Sequence, residues 1–216
     1  VRVLRETDDF SIRPSLVGFD VRTFDSGTSF TAPADGDYRI ILRNNFGKSG
    51  LAHAYSLSIR EPEPDFQLIA IGDSKYQDAR MAYPGAPQLG AGGTVSIRVV
   101  ALRLGGYAGP IEVTAENLPD EISASPGRIG PGATETRLAL SAGEGAKPWA
   151  GDIRIIGKAK LDDHEITRPA VSGSLSWGAK DYTRERIRSR LSSTFPLQIT
   201  SEKPLLTLEA KETKIW

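Results

Sequence analysis

Cysteine is absent from the 216 residues. Disulfides, thiolate nucleophiles and cysteine-ligated zinc are therefore excluded together. Histidine occurs only as His53 and His164, and no Gly-x-Ser-x-Gly turn is present to expose a nucleophilic serine. Neither sign of charge is in excess, with 27 Lys+Arg against 27 Asp+Glu. A neutral chain gives no global electrostatic reason to expect nucleic acid or an anionic membrane as partner. No apolar run approaches the ~20 residues needed to span a bilayer, so no membrane insertion is expected. No basic segment followed by an apolar stretch opens the chain, so no signal peptide is expected. A mature fragment or an internal piece of a longer protein has that appearance.

What the chain does have is turn chemistry and short alternating runs, with 22 Gly and 14 Pro. Strand-length patterns at regular spacing, separated by Gly and Pro, point to an all-β fold of antiparallel sandwiches. The clearest unit is Gly92–Pro119. Val95, Ile97 and Val99 alternate with Thr94, Ser96 and Arg98, the period of a half-buried strand. Gly105, Gly106, Gly109 and Pro110 interrupt the pattern, and Ile111, Val113 and Ala115 restart it.

Val1–Arg5 and Gly18–Phe24 read as short strands. Further on, Tyr38, Ile40 and Leu42 share one face after an Asp35-Gly36 turn, and Tyr55, Leu57 and Ile59 form a returning strand. The run FTAPADGDYRIILRN at 30–44, followed by AYSLSIREPEPDF, resembles the second half of a bacterial pre-peptidase C-terminal domain. The resemblance rests on Phe30, Pro33-Ala34-Asp35-Gly36, Tyr38/Ile40/Leu42 and Tyr55/Leu57/Ile59. It implies a small β-sandwich over residues 1–61, incomplete at its N-terminal side, of the kind appended to secreted enzymes and surface proteins.

Glu61-Pro62-Glu63-Pro64-Asp65 is a stiff junction, because proline fixes φ and removes ladder donors. After it, Phe66–Ala70, Thr94–Leu102, Ile111–Ala115, Glu121–Ala124, Thr134–Ser141, Asp152–Ala159 and Glu165–Gly173 predict about seven strands, the number in an immunoglobulin-like sandwich. The segments Arg103, Gly105-Gly106-Tyr107-Ala108-Gly109-Pro110-Ile111 and Leu118-Pro119 resemble a bacterial immunoglobulin-like repeat of large surface proteins. That resemblance implies a second sandwich over 62–200 and brings no catalytic residues with it. Asp181–Ser193 reads at period two as a strand with a basic face and at period 3.6 as a short helix with Ile187 and Leu191 on one side; extended or irregular structure is the preferred reading, with a closing strand at Phe195–Thr200. Residues 62–70, PEPDFQLIA, align without gaps to 202–210, EKPLLTLEA. Residues 201–216 therefore read as the first strand of a further repeat.

The chemistry on offer is sparse. Asp8, Asp9, Asp35 and Asp37 form the better oxygen clusters for calcium, the one candidate cofactor, although none is required and Asp35-Gly36 is also what a turn needs. Leu161-Asp162-Asp163-His164-Glu165 reads as a solvated hairpin tip, Glu112 and Glu116 as the charged outer face of a strand, and Arg184–Arg190 as a solvated or repeat-pairing face. Tyr76, Tyr83, Tyr107, Trp149 and Trp177 are candidates for a glycan platform, since flat rings stack on sugar faces. The sequence thus points to a non-catalytic segment of a secreted, periplasmic or cell-surface protein, a spacer, adhesion or assembly module. Its expected partners are neighbouring domains or other surface proteins. The alternative is an accessory carbohydrate- or calcium-binding module of a secreted hydrolase.

Overall fold

A computed structural model describes residues 3–7, 9–12, 21–43, 50, 54–73, 85–161, 163–177 and 188–203. The fold is all-β. Two strands, β1 (Asp9–Ile12) and β2 (Val21–Ser26), form an antiparallel pair by themselves. The other strands build a sandwich. They are β3 (Asp65–Gly72), β4 (Gln88–Gly90), β5 (Thr94–Leu104), β6 (Ile111–Glu116), β7 (Ile122–Ala124) and β8 (Gly127–Ile129). They continue with β9 (Glu135–Ala142), β10 (Trp149–Leu161), β11 (His164–Trp177), β12 (Arg188–Ser192) and β13 (Phe195–Thr200).

One layer runs β12–β11–β3–β5–β9–β7 and the other β4–β13–β10–β6–β8. Alternation explains the packing between them. Phe66, Leu68 and Ala70 of β3, Ile97 and Val99 of β5, and Leu138 and Leu140 of β9 face inward from the first layer. Ile111 and Val113 of β6, Ile153 and Ile155 of β10, and Phe195, Leu197 and Ile199 of β13 meet them from the second. The layers approach closely at Gly157 of β10. A Cβ there would collide with a methyl of Leu68 and lie 3.0 Å from both Ile111 and Phe66.

Strand β11 belongs to both layers. Its first half pairs with β10 up to Pro169, opposite Ile156, and from Ala170 it runs parallel to β3. Proline has no N–H to donate, so the ladder with β10 ends where Pro169 stands and the strand is free to change layer. The two layers are thereby joined along one side.

The strands read between Phe66 and Gly173 are present, several of them longer than their patterns, and β13 lies at Phe195–Thr200. Four short strands were not read as such: β1 and β4, which fall where polar turn or loop is expected, β8, and β12 within the stretch read as extended or irregular. The strands expected at Tyr38–Leu42 and Tyr55–Ile59 are not formed, nor is one at residues 3–5. Tyr38, Ile40, Leu42, Tyr55, Leu57 and Ile59 are all exposed. The physical reason is the lack of a partner among the described residues: an alternating segment becomes a stable strand when a ladder and a covering layer are supplied. The chain does bend over 33–36, with the Tyr38 hydroxyl donating to the Ala34 carbonyl at 2.5 Å and its ring edge-on to Phe30. Among the described residues no helix is long and apolar enough to cross a membrane.

Candidate functional site at the two poles of the sandwich

The residues singled out in the sequence scatter over the fold. Asp35 and Asp37 are exposed on the early turn, Asp9 opens β1 opposite Ser26, and Asp8 lies outside the described residues. Among the described residues no three His, Cys, Asp or Glu side chains converge as a metal would require. Of the aromatic residues, Tyr76 and Tyr83 lie outside the described residues, and Trp177 ends β11 opposite Arg188. Tyr107 is buried at 6% exposure, so its ring offers no face to a sugar. Trp149 is half-buried against the core, its ring folded over Gly151. These two rings stand at opposite ends of the sandwich, since Tyr107 precedes β6 and Trp149 opens the antiparallel β10. His53 lies outside the described residues and His164 is exposed at the β10–β11 tip. Glu112 and Glu116 point outward from β6 and pair with Arg128 at 3.2 Å and Arg154 at 3.9 Å, the charged outer face that alternation predicts.

The structure instead concentrates specific contacts where the chain enters and leaves the sandwich. At the head pole, β5 turns into β6 through Gly105 and Gly106, at φ 55° and 83°. Both need the left-handed region, and the Tyr107 N–H closes the turn on the Leu104 carbonyl at 3.0 Å. Gly105 carries a second requirement. A Cβ on it would fall inside the carbonyl group of Glu63, so the incoming chain lies directly on this glycine.

Asp65, the next residue but one, anchors the same crossing. One of its oxygens accepts from the Phe66 N–H at 2.7 Å, and Arg168 grips both, with Nε at 3.0 Å from Oδ1 and Nη2 at 3.1 Å from Oδ2. Burial by itself raises the Asp65 pKa. The Arg168 hydrogen bond, the Phe66 N–H and the charges of Arg168 and Arg60 outweigh it and hold the carboxyl below its ordinary value. The pair ties the start of β3 to the place where β11 changes layer.

Arg103 makes the rest of the head pole rigid. Its guanidinium donates to the carbonyls of Gly109 at 2.5 Å, Gly130 at 2.8 Å and Ala133 at 3.2 Å, and lies 5.5 Å from the centre of the Tyr107 ring. Two loops are gathered on one planar fork that way. Tyr107 packs on Phe66, with ring centres 6.0 Å apart, and its hydroxyl donates to the Pro110 carbonyl at 2.7 Å. Burial raises the phenol pKa, and the Arg103 charge offsets part of that rise.

The tail pole has a matching arrangement. Gly90 ends β4, and a Cβ on it would strike the carbonyl oxygen of Glu202. The Ala91 N–H donates to the Thr200 carbonyl at 3.2 Å, and Gln198 N–H to the Pro87 carbonyl at 3.2 Å. The outgoing chain is thus laid along β4 as far as Glu202. Head and tail are separated by the length of β5, whose 11 residues extend about 35 Å. Sequence reading found the Pro-rich approach and the glycine corner. It missed Asp65–Arg168, a contact across 103 positions, and Gly90 with Glu202. Comparison with known proteins finds no matching family model, no similar curated protein and no matching solved structure.

Proposed function

We propose that this chain is a structural spacer, an immunoglobulin-like sandwich within a larger secreted or cell-surface protein, preceded by a segment of pre-peptidase C-terminal type. The observation that carries the reading is the path of the chain. It comes in at the head pole and goes out at the tail pole, about 35 Å apart, and is held on a glycine at each. That path suits modules strung end to end. A ligand-presenting domain has no need of it.

The pairing of the terminal strands supports the same reading. Strand β4 runs parallel to β13, and β3 runs parallel to β11. Tension applied between the two poles pulls β13 along β4, so the ladder bonds share the load and must fail together. A hairpin opened from its tip loses its bonds one at a time. The order of the two layers, with an early strand parallel to the last, also supports the immunoglobulin-like assignment.

Single-molecule force measurements test this. The chain has no cysteine, so handles go on engineered ones. Pulling between positions 62 and 203 is expected to need a several-fold higher unfolding force than pulling between Lys160 and Glu165, neighbours across the β10–β11 hairpin. Forced unfolding reports the barrier along the pulled direction. Equal or lower force from pole to pole would sink the spacer reading.

A further inference from the structure

The large apolar side chains that the structure leaves exposed fall almost entirely ahead of Pro62. Among the described residues the sandwich exposes only one, Leu191 at 43%. The earlier segment exposes Tyr38, Ile40 and Leu42 in one alternating row, with Ile41 between them. Among the described residues, 37–43 make no main-chain hydrogen bond, and Asp37, Arg39 and Arg43 make no ion pair. An alternating apolar row on unpaired backbone is an open template for another strand.

We propose that this template takes up the same segment of a second copy of the chain. Asp37-Tyr38-Arg39-Ile40-Ile41-Leu42-Arg43 is complementary to itself when run antiparallel about Ile40. Ile40 then faces Ile40, Tyr38 faces Leu42, Arg39 faces Ile41 and Asp37 faces Arg43 of the other copy. Directly opposite residues share one side of an antiparallel pair, so Tyr38, Ile40 and Leu42 of both copies make one continuous apolar face. The other face carries an Asp37–Arg43 ion pair at each end. Between the ends, the stem of Arg39 lies along Ile41 and its head stays in water. The two Arg39 are diagonal neighbours only. Charge also selects the register. The adjacent registers that keep the apolar rows together set Arg39 on Arg39, or Arg39 on Arg43, and like charges directly opposite are destabilising. A two-stranded ribbon needs cover. Phe30, which already stands edge-on to Tyr38 at 5.4 Å, brings one ring to each end. The contact is isologous, so it closes on a dimer. It joins two chains through the segment ahead of the sandwich and is independent of the spacer reading.

Sedimentation of the full chain over a range of concentrations tests this, since association should reach a dimer and stop there. Asp37→Arg and Arg43→Asp each set like charges opposite one another at both ends of the ribbon and should weaken association about tenfold or more. The double variant Asp37→Arg/Arg43→Asp brings opposite charges back together and should restore association. Ile40→Cys gives the chain its only thiol. In the dimer the two thiols face each other within disulfide reach, so oxidation should join the copies several-fold faster than for Leu42→Cys, whose two positions are held apart. The melting temperature of the sandwich should not move in any variant, which separates lost association from lost folding. A chain that stays monomeric overturns the proposal; if its 38–42 amides are then protected from exchange, the occupant is Tyr55–Ile59 of the same chain, in a hairpin that sets Asp37 on Arg60. A charge swap that fails to restore association, or equal cross-linking at positions 40 and 42, overturns the register.

Discussion

Gly105 and Gly106 offer a matched pair of substitutions that separates backbone conformation from contact. Both residues have positive φ, so alanine at either places an L side chain in the left-handed region, at about 1–2 kcal/mol. Only at Gly105 does the new methyl meet anything. It collides with the Glu63 carbonyl, whereas nothing lies within 4 Å of a Cβ on Gly106. Gly106→Ala should therefore cost about 1–2 kcal/mol, and Gly105→Ala that amount plus the penalty of moving the incoming chain, a further ~1–3 kcal/mol if it behaves as an overpacked contact. For a domain of this size each kcal/mol lowers Tm by about 2–4 °C. Calorimetry on both variants gives the difference, and hydrogen exchange locates it. Exchange at the Phe66 N–H, which is bonded to Asp65 at 2.7 Å, should quicken in Gly105→Ala beyond the effect on global stability, and should follow global stability in Gly106→Ala. Equal melting temperatures, with equal Phe66 protection, would refute the claim that the chain is seated on Gly105.

Three further outcomes follow from the same contacts. The Asp65 carboxyl is held below its ordinary value of 3.8, so its stabilising contribution is full above that value and is lost as pH falls from there through the folded-state value. Asp65→Asn should lower stability at about pH 6 and weaken its dependence on pH at about pH 3, as read from urea midpoints; the loss should be of order 1 kcal/mol, since Asp65 and Arg168 are both partly solvated. Gly157→Ala, which drives a methyl into Leu68, Ile111 and Phe66, should destabilise by about 1–3 kcal/mol in thermal unfolding. Tyr107→Phe leaves the Pro110 carbonyl without its 2.7 Å donor and should cost about 1 kcal/mol. It should also remove, from an alkaline absorbance titration, the phenol that burial holds above 10.0.

The sandwich was legible because its strands carry their information locally. In a strand, successive side chains alternate between faces, so Val95, Ile97 and Val99, or Ile111 and Val113, announce an inward row without reference to the rest of the chain. Glycine at Gly105-Gly106 and proline at Pro62 and Pro64 likewise restrict backbone angles where they stand. The poles were not legible in the same way. Asp65 gives no sign that its partner is Arg168, and Gly90 resembles the other glycines of its loop until the Glu202 carbonyl is laid against it. A pair contact depends on how the chain returns, and one sequence does not state the return.

The sequence by itself determined the all-β class, the two-residue period of the core strands and the strand-free approach through Pro62–Pro64. Those follow from sterics and side-chain direction within a few residues. The tertiary structure alone decided which alternating segments have a cover. Ile111 and Val113 lie at 0% exposure, whereas Tyr38 and Ile40, with the same spacing, stand at 42% and 56%. Alternation specifies which face of a strand would be buried; burial itself needs a second surface, and that surface comes from elsewhere in the chain.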